Sequence, residues 1–483
     1  MKRGFLNSFK ANARPLGSPA PSAPTAAPSV GTAKFPIGKQ NIVTGHKQFF
    51  IRKFSYVTGS QAKFSPRREV PKGYDRKLMA KERDQRLGSV PGMISLTRVP
   101  FVNAVDGEPT TECIFHAGSK EVLMGLPGFP QPMVNRVGKK SPIRLKEVPG
   151  MGLGLFATRG LKAGELIFSE RPLLVAAQGV SPGGPDMPST RTLTLEQQLQ
   201  FDLDQLEKVL ALVLERMCDE DKAAYMALKN SHPEDGSGPL TGIMRTNGLA
   251  VPGLRPEVTP GTAHAFCSGV RDMISRVNHS CSPNVRPHWN MLTFSFQVFA
   301  TRDIAADEEL TSQYIPFEGS TARRNELLKP YDFVCTCASC KDPESDARRS
   351  YLAESDAPML SKWLFDDTPN ANALLLDECR RQMELLEREG MEGASRCFQV
   401  AAAAFTVCVA RGDAQNASEW ARKIARIRWD DRVMPEIDSF VDPKSNAYEG
   451  HHMWQKKMDG GALDKDHRAK LAAVGVGSLP LED

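Results

Sequence analysis

RVNHSCSPNV, residues 276–285, crowds Asn278, His279, Ser280 and Asn284 around Cys281 and Pro283, between an apolar run and a strand-like one. On its own such a loop needs nothing beyond local Asx hydrogen bonds. A second cluster changes its meaning. VCTCASC (334–340) sets Cys335, Cys337 and Cys340 within seven positions, and no cysteine or histidine follows nearby. A closed structural metal site takes four ligands in a tetrahedron, so three thiols are one short. The C-x-x-C step closes a chelate easily, and a distant fourth thiolate would complete the set. Cys281 is the leading candidate, with Cys267, His279 and His288 as competitors. The other cysteines (Cys113, Cys218, Cys379, Cys397 and Cys408) stand in apolar or helical surroundings, and we expect buried thiols there.

Working outward, the stretch from about Ile143 to Tyr314 reads as short strands cut by glycine. IRLKEV (143–148), GLFATRGL (154–161) and ELIFSERPLLVA (165–176) carry strand-like composition. LTFSFQVFA (292–300) alternates, with Leu292, Phe294, Phe296 and Val298 assigned to one face. A helical insertion interrupts these strands, its apolar stripe running Leu195, Leu199, Leu203, Leu206, Leu210, Val213 and Met217. After the cysteines the chain turns helical over 371–389, 394–411 and 416–428. Breaks around Gly390 and Gly412 predict antiparallel hairpins.

Three more motifs bear on chemistry. MGLGLFATRG (151–160) fits G-x-G-x-x-A, but a dinucleotide site needs a helix to start there. Gly160 and Gly164 cut the following stretch instead, so the reading is a glycine turn where backbone can approach a ligand. EELTSQYI (308–315) reads as a short strand ending in Tyr314, and ARRNELLKPYDFVCTCASC (322–340) as a helix feeding Tyr331 and Phe333 into the cysteines.

Composition sets the outer limits. The chain has 483 residues, 41% hydrophobic and 25% charged, enough for two or three domains. No window approaches the run of about 18 apolar residues that a membrane span requires. Ten cysteines in this length suggest a reducing compartment rather than a disulfide scaffold. The net charge of +5 is unevenly spread. Residues 1–68 hold twelve Lys and Arg and no acid, so the remaining 50 bases face 57 acids. The leader ARPLGSPAPSAPTAAPSVG (13–31) is low-complexity, and five prolines between Pro15 and Pro28 break any amphipathic helix. A solvated tail is the simplest reading. Its basic charge leaves a nucleic-acid contact or a mitochondrial presequence open.

GLGLFATRGLKAGE, NHSCSPN, EELTSQY and FVCTCASC, in this order, resemble the SET-domain protein lysine methyltransferases. The run R-x-x-L-x-x-x-Y-x-F-x-C-x-C-x-x-C into a helical region is similar to the SMYD branch. Two departures stand out. The MYND zinc module that interrupts that branch is absent, because residues 177–260 contain only Cys218. Asp307 stands where glycine often precedes E-E-L. The likeness covers roughly residues 142–342, and more loosely the helices to about 440.

The resemblance implies an α+β architecture: a SET-type β-fold with helical insertion, a zinc-bound post-SET segment and a helical C-terminal domain. We therefore expect a basic, largely disordered tail over 1–98 and a flank over 99–141. The SET domain spans 142–345, with its insertion at about 177–260 and its zinc segment at 331–342; helices fill 346–483. By the same likeness Cys281, Cys335, Cys337 and Cys340 hold zinc. S-adenosylmethionine lies against Met151, Gly152, Leu153 and Gly154, with Asn247, Asn278 and His279 on its polar ends and Phe333 over the adenine. Tyr314 is the catalytic residue and Tyr331 lines the lysine channel. The implied activity is methylation of a lysine amine on a protein or peptide, histone or non-histone. The implied location is nuclear or cytoplasmic, and no membrane is involved. A catalytically silent, zinc-stabilised peptide-binding protein of the same fold is the alternative.

Overall fold

A computed structural model of the chain describes residues 94–458, with 52–53 and 73, apart from 101–108, 117, 150, 178–179, 182–192, 255–266, 317–318, 356–359 and 428–433. Most of the basic tail lies outside these residues, and with it the expectations of disorder and nucleic-acid contact. Strand β1 (Ile94–Val99) pairs with β2 (Thr111–His116), and Arg52–Lys53 pairs with Val180 and Ser181.

The later strands build three sheets, the first of them on the β1–β2 pair. Helix α1 (Ser119–Gly125) precedes β3 (Ile143–Val148) and β4 (Gly152–Ala157), which form an antiparallel hairpin. The Gly-rich segment is therefore strand and turn, with no helix behind it. Its strand stops at Ala157, short of Leu161. The expected strand at 165–176 is two strands, β5 (Leu166–Glu170) and β6 (Leu174–Ala177). Pro172 lies between them, where a residue without N–H cannot continue a ladder. The insertion supplies α2 (Leu195–Leu214), α3 (Asp219–Met226) and α4 (Pro239–Asn247). Thr194 and Gln197 close a capping box at the start of α2. Leu203, Leu210 and Val213 face the core as predicted, but Leu195 in the first turn is 70% exposed. Cys218 at the start of α3 is exposed too, against the expectation of a buried thiol.

The second half of the β-fold holds β7 (Leu249–Val251), β8 (Cys267–Val270), β9 (Asn278–His279), β10 (Val285–Asn290), β11 (Ser295–Ala300) and β12 (Glu309–Ser312). The strands order as β1-β2-β6-β8-β7, β9-β12-β4-β3 and β10-β11-β5. β11 is the middle strand of its sheet, so Ser295 to Val298 are all buried and burial does not alternate. Leu292 and Phe294 belong instead to the hairpin turn, where Asn290 Oδ1 accepts the N–H groups of Leu292 and Thr293. Phe294 stays buried at φ 48°, edge-on to Trp289 at 4.9 Å. Asp307 has φ 67°, the left-handed region that favours glycine, and its carboxylate is paired with Arg144 and Lys146.

Helix α5 (Thr321–Leu328) and a 3₁₀ turn (Lys329–Tyr331) lead to the cysteines and the short α6 (Ala338–Lys341). Then come α7 (Ser345–Glu354), α8 (Leu360–Leu364), α9 (Ala371–Arg388), α10 (Ser395–Arg411) and α11 (Ala414–Ile427). Gly390 and Gly412 adopt positive φ at the ends of α9 and α10, where the predicted hairpins turn. Apolar burial falls into one core among the sheets and insertion, a second among the late helices, and a small third one. The third consists of Cys281, Tyr314, Ile315, Leu328, Tyr331 and Cys335, with Phe333 against it.

Candidate active site and metal centre

The four sulfurs of Cys281, Cys335, Cys337 and Cys340 lie within 4.8 Å of one another. Cys281 is 3.8 Å from Cys335 and 3.6 Å from Cys340. A tetrahedron with metal–sulfur bonds of about 2.3 Å has edges of about 3.8 Å, so the cluster is sized for zinc. Cys281 hangs from the loop after β9, Cys337 precedes α6 and Cys340 sits within it. The Cys335 N–H donates to Asn325 Oδ1 at 2.9 Å. Of the competitors, Cys267 lies in β8 and His288 in β10, both outside the cluster. His279 touches it without joining: Nε2 is 3.4 Å from Cys281 Sγ, and Nδ1 accepts the Tyr314 N–H at 3.1 Å. The proton therefore sits on Nε2 and points at sulfur. Burial lowers the His279 pKa to about 3 and keeps the ring neutral.

On the other side of His279 the cofactor candidates converge. Strand β9 runs parallel to β12, placing Asn278 beside Thr311 and His279 beside Ser312. β12 pairs in turn with β4. Asn278 Nδ2 donates to Glu309 Oε1 at 2.6 Å and reaches the Leu153 carbonyl at 3.5 Å. A Cβ on Gly154 would stand 2.5 Å from that Glu309 oxygen and 3.1 Å from Asn278 Nδ2, so glycine keeps this corner open. Met151 closes the turn onto Val148, and Gly152 takes φ 69°. Asn247, the last residue of α4, shares no hydrogen bond with these groups. Its Nδ2 donates to the Lys229 and Ile243 carbonyls, while its Oδ1 is buried with no partner among the described residues.

The aromatic residues close the third core. The Tyr314 hydroxyl donates to the Val277 carbonyl at 2.7 Å, which fixes the direction of its O–H bond. Its ring lies 5.2 Å from Tyr331 and 5.2 Å from His279. Phe333 sits 6.0 Å from His279. Burial, helped by Tyr314, pushes the Tyr331 phenol well above its ordinary range, so this ring is a neutral hydrogen-bonding group. Tyr314 stands two residues beyond β12, not within a strand.

Several supporting residues carried no sequence assignment. Asn284, quoted within the loop motif, ties it to β12: Oδ1 accepts the Thr311 N–H, and Nδ2 donates to Glu308 and to the Glu309 carbonyl. Glu170 accepts the N–H groups of Asp272, Met273 and Ile274, fixing the turn before Val277; burial raises its pKa to about 7. Glu389, at the end of α9, is buried and accepts the hydroxyls of Ser339, between Cys337 and Cys340, and of Ser345. No local spacing signals these contacts, since each joins residues far apart in the chain.

A SET-domain family profile matches residues 152–315, so the chain carries a SET domain. This domain and the relatives named below support the reading of a SET-domain lysine methyltransferase. It is 29% identical over 283 residues to the histone-lysine N-methyltransferase set5 of Schizosaccharomyces pombe, covering 57% of this chain and 74% of that one. It is 35% identical over 104 residues to histone-lysine N-methyltransferase SET5 of Meyerozyma guilliermondii, covering 20% and 22%. Against histone-lysine N-methyltransferase ASHR1 of Arabidopsis thaliana it is 37% identical over 92 residues, covering 17% and 18%. The match to the last two spans about a fifth of their length. No helix among the described residues is long and apolar enough to cross a membrane.

Proposed function

We propose that this protein transfers a methyl group from S-adenosylmethionine to the side-chain amine of a protein lysine. The observation that carries the reading is the meeting of the Gly152–Gly154 strand, Asn278, His279, Tyr314, Tyr331 and Phe333 around one corner of the fold. Two features fit the cofactor. Asn247 Oδ1 is a buried acceptor with no donor among the described residues, and Gly154 lets the strand pass close to Glu309 and Asn278 where a side chain would collide. S-adenosylmethionine supplies an electrophilic methyl on a sulfonium. Met151, Gly152, Leu153 and Gly154 offer backbone, Asn278 and His279 offer polar groups, and Phe333 covers an aromatic face.

Tyr314 is the residue we assign to catalysis. Its proton is committed to Val277, so its oxygen can accept an amine N–H and favour positive charge on the passing methyl. Tyr331 narrows the approach, and together the rings exclude water from a neutral lysine. Orientation and fixed dipoles of this kind can remove several kcal/mol of barrier. Zinc held by Cys281, Cys335, Cys337 and Cys340 would be structural, because four protein ligands leave no open position. It would pin Tyr331 and Phe333 against the His279 loop. The relatives' names make a histone lysine the first substrate to test, in the nucleus. The run from Arg324 to Cys340 into the helices supports the SMYD-like branch.

The test is titration calorimetry of the zinc-replete protein with S-adenosylmethionine, followed by labelled methyl transfer to histones and to cell extract. Saturable binding with label on lysine is expected. Binding without transfer to any protein would favour the silent peptide-binding reading, and no heat with the cofactor or its demethylated product would overturn the methyl-transfer reading.

A further inference from the structure

The run that leads into the cysteines begins with an arginine to which neither the fold nor the methyl transfer gives a task. Arg324 lies in the first turn of α5, and its side chain is wholly buried at 0% exposure. Nη1 donates to the Gly319 carbonyl and Nη2 to Thr321 Oγ1, while Nη2 also points at Cys340 Sγ from 3.6 Å. A second guanidinium stands across the cluster. Arg349, 1% exposed, donates from Nη2 to the Cys281 carbonyl at 2.7 Å and to Ser339 Oγ at 2.9 Å. Arg349 and Arg348 share the carboxylate of Glu389, at 2.7 and 2.6 Å.

Charge explains this arrangement. One divalent zinc and four thiolates carry a net charge of −2 in a site largely closed to water. Burying such a charge without compensation is very unfavourable. Arg324 contributes +1. Arg348 and Arg349 against Glu389 leave another +1. The buried groups therefore sum to +2, opposite to the metal centre. Asp342, Glu344 and Asp346, which also touch these arginines, are exposed and screened by solvent.

We propose that Arg324 and the Arg348–Arg349–Glu389 group form a cationic outer shell matched to a doubly negative zinc tetrathiolate, with Arg324 as its positioning residue. This rests on the zinc reading above. The Arg324 contact reaches forward 16 residues in the chain, from the head of α5 to the last cysteine. One side chain thus brackets the segment that carries Tyr331 and Phe333. An outer-sphere hydrogen bond of this type orients the ligand, and its loss typically costs about 10–100-fold in metal affinity.

The experiment compares wild type, Arg324→Gln and Arg324→Lys by zinc content, zinc affinity in chelator competition, and thermal melting of the zinc-loaded proteins. We expect one zinc per wild-type chain, an affinity about 10–100-fold weaker in R324Q, and affinity within a few-fold of wild type in R324K. Wild type without zinc would remove the metal reading itself. Zinc in wild type and equal affinity in R324Q, with only a lower melting temperature, would overturn the shell and leave Arg324 as a helix-end hydrogen-bond donor. If R324Q does not fold, R324K decides: affinity kept within a few-fold supports the shell, and a loss of about tenfold or more in a folded protein overturns it.

Discussion

Because the Tyr314 hydroxyl gives its proton to the Val277 carbonyl, replacing Tyr314 by Phe removes two things. The buried carbonyl loses its donor, which should lower stability by about 1–3 kcal/mol. The reacting groups lose a fixed dipole, which should lower kcat by about 10²–10³ with the affinity for S-adenosylmethionine nearly unchanged. Single-turnover kinetics and calorimetry separate the two, and wild-type turnover in Tyr314→Phe would show that another residue is catalytic. His279 makes a pH prediction. Burial holds its folded pKa near 3 while the unfolded ring titrates near 6.5, so below about pH 6.5 only the unfolded chain takes up the proton. Its contribution to stability is complete above pH 6.5 and falls toward pH 3, by up to about 1.4 kcal/mol per pH unit. Denaturant titrations of wild type and His279→Gln should differ in this slope. Parallel curves would mean the ring does not stay neutral.

Strand β4 is an element whose side-chain sparseness matters. In Gly154→Ala the new methyl collides with the Glu309 carboxylate, the movable end of a flexible chain, so the fold should survive. Glu309 is nevertheless the partner that fixes the Asn278 amide. We expect weaker cofactor binding, about tenfold for each 1.4 kcal/mol lost, with a melting temperature close to wild type. Unchanged affinity would place the cofactor elsewhere. The short strands around this corner were legible because glycine and alternation mark them, and the cysteine spacing pointed to the cluster that Cys281 joins. The three late helices came within a few residues of their predicted ends. What escaped depended on neighbours. Leu292 and Phe294 read as strand because their apolar period continues that of β11, yet the Asn290 side chain closes the turn beneath them. The strand expected at 165–176 is broken at Pro172, where its two halves join different sheets. Asn284 and Glu170 were invisible as supports because their partners are set by sheet pairing, not by spacing.

Across the whole molecule, one carboxylate joins the late helices to the catalytic half. Glu389 receives Ser339, Ser345, Arg348 and Arg349, while its own carbonyl accepts the Ser282 hydroxyl at 2.7 Å. Burial disfavours its charge, but these hydrogen bonds outweigh that and hold its pKa below the usual carboxylate range. Glu389→Ala leaves two buried guanidinium groups short of a counter-charge, and we expect a loss of about 3–5 kcal/mol in chemical denaturation. A loss under about 1 kcal/mol would mean that the two halves hold together without it. The sulfur cluster has a consequence in time as well as space. A ribosome delivers Cys281 first, and the last of its partners is 59 residues behind. At roughly 5–20 residues per second this is about 3–12 seconds of synthesis. Through that interval Cys281 waits for its partners, and a four-sulfur site can be completed only once Cys340 has been added.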